Sequence, residues 1–155
     1  MAEPIRIPPH SEEAETCVLG AILIDKDAIV TVAEFLRPEH FYAQANELIY
    51  RACLDLYEER KPIDIVTLKE KLKSQKNLAK IGGVAYLTSL VNSVPTAANV
   101  EQYGGIVKDN YTKRELITSA SKIVELAFDE GHEAADVLDS AEQAIFGLSQ
   151  KHLKQ

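Results

Sequence analysis

The chain has 155 residues, 46% of them hydrophobic and 26% charged, with a formal net charge of −7. That length supports one core and an appendage, and the acidic balance excludes a broad phosphate-gripping face, leaving only a local basic contact with nucleic acid. No apolar run is long enough to cross a bilayer, the opening MAEPIRIPPHSEEAE has no apolar signal core, and Cys17 and Cys53 form no CxxC, so a cytoplasmic protein with two buried thiols is expected.

Pro4, Pro8 and Pro9 mark residues 1–10 as an extended lead. Ser11 is a good N-cap, and Glu12, Glu13 and Glu15 suit the positive end of a helix running to about Leu23. Asp25 restarts a helix through Val30 and Phe35 that Pro38 ends, and Phe41 and Tyr42 follow as anchors. Leu48, Ile49, Ala52, Cys53 and Leu56 then keep helical spacing in a long helix from about Ala43 to Glu59. Lys61-Pro62 breaks it, and Asp64 caps a shorter helix carrying Val66, Leu68 and Leu72. Its surface is basic, with Lys69, Lys71, Lys73, Lys76 and Lys80. Gly82-Gly83 introduces a helix from Val84 to about Val91. Strand signals are almost absent, so the chain reads as all-α.

Pro95 then fixes its own φ and pushes Val94 out of the helical region, which predicts a rigid joint. Thr96 or Asn99 can accept from the first N–H groups of the next helix. Gly104 and Gly105 cost a helix about 2 kcal/mol together relative to alanine. The arm therefore starts after them, is kinked, or is closely approached there; a softened departure from the head is expected. Beyond Ile106, Leu116, Ala120, Ile123 and Ala127 fall on one stripe, and Ile117, Val124 and Phe128 on a second. Asp129-Glu130-Gly131-His132 is a reversal. A second helix from about Ala135 to Gln150 places Val137, Leu138, Ala141, Ala144, Ile145 and Leu148 on one face, with Phe146 on the other side. The layout is thus a lead over 1–10, a helical head of about five or six helices over 11–98 and a helical hairpin over 99–155. Both arms have more apolar surface than one antiparallel neighbour covers, so the hairpin either pairs with a second copy in a four-helix bundle or folds back on its own head.

The sequence carries no recognisable catalytic motif. There is no GxxxxGK[ST], HExxH or GxSxG, and the glycine pairs follow no strand. His10, His40, His132 and His152 are scattered without metal-ligand spacing, and His40 reads as a surface residue beside Glu39 and Glu47. No catalytic, cofactor or metal site is expected.

Five stretches, in order, resemble the N-terminal domain of the bacterial replicative hexameric helicase of the DnaB type: RIPPHSEEAETCVLGAILID, RPEHFY, KPIDIVTLKEKL, IGGVAYLTSLVNSVPTAANVEQYGGIV and the closing DSAEQAIF. The resemblance covers nearly all of residues 5 to 150. It departs from the family at Asn46, where a histidine is usual, and at Gly104 or Gly105, where a non-glycine residue is usual. It implies a helical head and a hairpin that pairs between subunits, building a hexamer as a trimer of dimers above a ring of motors. Those motors would bind ATP and Mg, act on DNA and follow after about Gln150. It further implies docking of the C-terminal domain of primase and contact with a helicase loader. The pairing surface would use Leu116, Ile123, Val137, Leu138, Ile145 and Leu148; the docking surface would use Glu13, Tyr86, Ile117 and Ile123. A helical DNA-binding module using the lysines of segment 69–80 is the alternative.

Overall fold

The computed structural model describes residues 6–94 and 96–153; the joint expected at Pro95 and the first five residues of the expected extended lead lie outside the described residues. Among those described there are seven α-helices, one short 3-10 turn and no strand: α1 (Glu12–Ile24), α2 (Ala28–Ala33), the 3-10 turn (Pro38–His40), α3 (Gln44–Glu58), α4 (Ile65–Ser74), α5 (Gly83–Ser93), α6 (Val100–Phe128) and α7 (Ala134–Leu153). The all-α fold expected from the sequence is observed. The chain divides into two compact units, one spanning His10–Asp109 and the other made of the lead up to Pro9 with Asn110–Gln155.

In the first unit, the head, α1 is the central element. The Ser11 hydroxyl accepts from the Ala14 N–H at 3.1 Å and starts the helix. From Ala14 to Ile22 nearly every side chain of α1 is buried, on all its faces. It packs on α5, α3 and α2, while α3 packs on α4 and α4 on α5. Gly20 permits the closest crossing: a Cβ there would sit 2.9 Å from Val94 Cγ1 and would run into the Leu90 carbonyl. Asp64 caps α4 through the Thr67 N–H at 2.8 Å, and Thr67 answers by accepting from the Asp64 N–H at 3.0 Å. The core is closed by Leu36, Ile49, Tyr50, Cys53, Leu68, Leu72, Leu87 and Leu90. Tyr50 reaches it with its hydroxyl satisfied by the Leu36 carbonyl at 2.9 Å.

Residues Val100 to Val107 of α6 also belong to the head, with Val100, Gly104 and Val107 buried. The helix runs through Gly104 and Gly105 without a break, so the soft departure expected from the glycine pair is overturned. Of the readings open in the sequence, close approach is the one realised: a Cβ on Gly104 would lie 2.9 Å from Phe35 Cζ and 3.4 Å from Val32 Cγ1. Gly105 faces open space. Just before α6, the Thr96 hydroxyl accepts from the Ala98 N–H at 3.2 Å and shapes the turn. The packing limit of the head thus falls at Asp109, inside α6, whereas the sequence reading placed the limit at the helix start near residue 98.

In the second unit α6 and α7 form the hairpin. Lys151 Nζ lies 3.3 Å from the Tyr111 hydroxyl, forty residues away in sequence, which sets the end of α7 beside the early part of this stretch of α6. The reversal is held by the Gly131 N–H donating to Asp129 Oδ1 at 2.9 Å. The lead is tied to the same unit by Arg114, whose guanidinium donates to the Pro9 carbonyl at 2.8 Å.

Candidate interaction surfaces

The hairpin is built from the burial pattern of its two helices. Half-buried side chains recur at Thr112, Glu115, Ser119, Ile123 and Leu126 of α6, and at Val137, Ala141, Ala144 and Leu148 of α7. Steps of three and four on both helices are the signature of one antiparallel seam. Beyond Asn110 no described residue is fully buried, and α7 has none along its whole length. Large apolar side chains instead face outward: Leu116, Ile117, Val124 and Phe128 on α6, and Leu138, Ile145, Phe146 and Leu153 on α7. Phe128 is 84% exposed, Leu138 65% and Phe146 64%. An open groove of about 770 Å³ runs along α7 past Ala141, Ile145 and Phe146.

These positions sort the six residues expected to pair. Ile123, Val137 and Leu148 fall in the hairpin's own seam, whereas Leu116, Leu138 and Ile145 face outward. Leu126, placed on neither expected stripe, joins the seam, because the seam follows Ser119, Ile123 and Leu126 rather than Leu116, Ala120 and Ile123.

Of the docking residues, Ile117 is 52% exposed and borders a recess of about 300 Å³ shared with Arg6, Ile7, Pro8, Arg114 and Thr118. Glu13 is exposed on the first turn of α1, and its carbonyl accepts from the Thr16 hydroxyl at 3.1 Å. Tyr86 is half-buried on α5, and its hydroxyl donates to Asn46 Oδ1 at 2.5 Å. Burial raises the Tyr86 phenol above its ordinary pKa, against the opposing pull of that bond.

Behind Tyr86 lies a polar cluster that helical spacing did not single out. Glu15 is 2% exposed and Asn46 is 1% exposed. Glu15 accepts from the Tyr42 N–H at 2.7 Å, the Ala43 N–H at 3.3 Å and Asn46 Nδ2 at 3.0 Å. A buried carboxylate is tolerated because donors converge on it. Two neighbours of this loop were also misplaced by sequence. His40 is buried, not on the surface: its Nδ1 accepts from the Arg37 N–H at 2.9 Å and closes the 3-10 turn. Of the two expected anchors, Phe41 is buried against Tyr50, but Tyr42 is exposed and stacks on His10 with centroids 4.1 Å apart. On the lysine-rich segment, Lys71 Nζ sits 2.5 Å from Glu59 Oε1, and this bond is the main cause holding the Glu59 carboxyl below its usual range. Among the described residues no group of histidine, cysteine or carboxylate side chains could hold a metal, and no helix is long and apolar enough to cross a membrane.

A compact helical head and a hairpin with outward apolar faces define an all-helical domain whose hairpin carries a row of exposed apolar side chains. A family model described as the DnaB-like helicase N terminal domain matches residues 7–109. The chain belongs to this family. It is 42% identical over 146 residues, 94% of its length, to the replicative DNA helicase DnaB of Geobacillus stearothermophilus, and 39% identical over the same span to the replicative DNA helicase DnaC of Bacillus subtilis. It spans 32% of each of these relatives, about a third of their length. Among solved structures, the N-terminal domain of DnaB helicase from Mycobacterium tuberculosis superposes with a TM-score of 0.85 at 40% identity, covering 91% of this chain and 99% of that one. The N-terminal domain of DnaB helicase from Helicobacter pylori, described with its interactions with primase, gives a TM-score of 0.63 at 28% identity, covering 76% of this chain and 91% of that one.

Proposed function

We propose that this chain is the assembly and docking domain of a bacterial replicative DNA helicase. The observation that carries the reading is the hairpin: beyond Asn110, α6 pairs with α7 without one fully buried side chain among the described residues and with a row of exposed apolar residues. Such a hairpin gains stability by covering that surface, and a second copy offers a matching one. In this reading the outward residues Leu116, Leu138 and Ile145 meet the neighbouring subunit. Ile123, Val137 and Leu148 support them from the seam, and three such dimers make a hexameric collar. Glu13 and Tyr86 on the head, and Ile117 and Ile123 on the hairpin, are the contacts for the C-terminal domain of primase. Support for that partner comes from family membership and from the Helicobacter pylori domain. ATP, Mg and the grip on DNA belong to the part of the longer relatives that this chain does not span, and a helicase loader is a further contact of the ring at a cytoplasmic replication fork. A separate DNA-binding role for segment 69–80 draws less support, since Lys71 is engaged by Glu59 and the net charge is −7.

The test is a pair of charge insertions, Ile117→Asp and Ile123→Asp, each read by primase affinity and by oligomer size. Ile117→Asp is expected to weaken primase binding tenfold or more while leaving size unchanged. Ile123→Asp, which places a charge in the seam, is expected to disturb both. If both variants bind primase and assemble as the parent does, the hairpin is not the interaction surface.

A further inference from the structure

We propose that Asn46 and Glu15 are positioning residues for Tyr86, tethering its hydroxyl inward so that a partner meets the aromatic ring and not the hydroxyl. The inference rests on the docking role given to Tyr86 above. The direction of the tether follows from donor and acceptor chemistry. The Glu15 carboxylate, already accepting two backbone N–H groups, can only accept from Asn46. The Asn46 amide must therefore turn its NH₂ to Glu15, at 3.0 Å, and leave its oxygen as the acceptor for Tyr86, at 2.5 Å. A flipped amide would set two acceptors, its own oxygen and the Glu15 carboxylate, against each other. With Asn46 1% exposed, water cannot relieve such a mismatch.

The relay joins three parts of the head: α5 through Tyr86, α3 through Asn46, and α1 through Glu15, with the loop N–H groups of Tyr42 and Ala43 as its anchor. Tyr86 is half-buried and packs against the core, so part of its side chain remains accessible. A side chain held at its outer end before the partner arrives loses less freedom on binding. Freeing a rotamer-rich side chain at an interface weakens affinity by about three- to tenfold.

The experiment titrates the C-terminal domain of primase onto the full chain at a temperature where every variant is folded. Tyr86→Ala is expected to weaken binding tenfold or more, as for a central aromatic contact. Tyr86→Phe and Asn46→Ala should each weaken it about three- to tenfold, and their combination no further than the weaker single variant. Asn46→His should return affinity to within about twofold of the parent, because a neutral imidazole also presents one donor and one acceptor. Asn46→Ala that lowers the unfolding temperature but binds at parental affinity overturns the proposal, since the network is then structural alone. Additive effects of Tyr86→Phe and Asn46→Ala overturn it as well, as does parental affinity in Tyr86→Phe. Should Asn46→Ala fail to fold, Tyr86→Phe and Asn46→His still decide. Parental affinity in Tyr86→Ala is a different result: it removes the docking reading itself, and the positioning role with it.

Discussion

Burial sets the chemistry of single side chains in the head. The Cys53 thiol is fully enclosed, and desolvation pushes its pKa up to about 12. Burial also raises the neighbouring Tyr50 phenol. A raised pKa in an acid that is neutral when protonated means that the fold disfavours the ionised form. The stability held by the neutral Cys53 thiol is therefore complete below the unfolded value near pH 9 and is lost as pH rises toward 12. The unfolding free energy from denaturant titration is expected to fall above pH 9, by about 1 to 2 kcal/mol at pH 10, and Cys53→Ala should flatten that fall while lowering the overall level. An equal slope in parent and variant would show that the thiol is not its source. The burial of Cys53 was legible from helical spacing. The burial of Glu15 was not, although it lies at the i−4 position from Leu19 on a helix otherwise apolar at Val18, Leu19 and Ile22. A carboxylate in that frame looks like a favourable charge at a helix start, because spacing does not reveal donors from a loop 27 residues away.

At the scale of elements, α6 is the helix whose sequence and structure disagree most. Two adjacent glycines argue for a break, yet the helix passes through both. Tertiary contact overrides propensity here: Val100, Gly104 and Val107 are buried in the head, and the missing Cβ of Gly104 makes room for Phe35. The two positions should therefore respond differently to alanine. Gly105→Ala, with open space around it, is expected to raise stability by about 1 kcal/mol. Gly104→Ala must push Phe35 aside, and is expected to gain less than half of that or to lose stability. Chemical denaturation of both variants measures the difference. Equal stabilisation would mean that close approach to Phe35 is not why Gly104 is small. The other helices were easier to read: Ser11 and Asp64 cap α1 and α4 as their sequence positions suggest, and α3 keeps its expected span within a residue or so.

For the molecule as a whole, the two units differ in how they hold together. The head has a continuous core of buried aliphatic and aromatic side chains. The hairpin has half-buried seam residues and exposed apolar ones. A pairing hairpin makes stability depend on protein concentration, since association stabilises by mass action. Light scattering after size exclusion should show at least a dimer at high concentration, and dilution should lower the unfolding temperature of the hairpin. A monomer at every concentration, with an unfolding temperature that does not move, would count against self-association.

The sequence by itself determined the helical class, the order of the helices and the limits of most of them, the hairpin and its surplus of apolar residues. All of these follow from local periodicity and from caps a few residues apart. Family resemblance was also legible, because it resides in ordered motifs. What only the tertiary structure decided is which polar and glycine residues lie inside. Glu15 and Asn46 are buried because partners from distant segments satisfy them, His40 is buried with its Nδ1 satisfied inside its own turn, and Gly104 stays helical because a neighbouring element packs against it. It also decided which apolar residues of the hairpin fill its own seam and which face outward. That division depends on the rotation of each helix about its axis, and a shift of one position along the chain turns a side chain by about 100°.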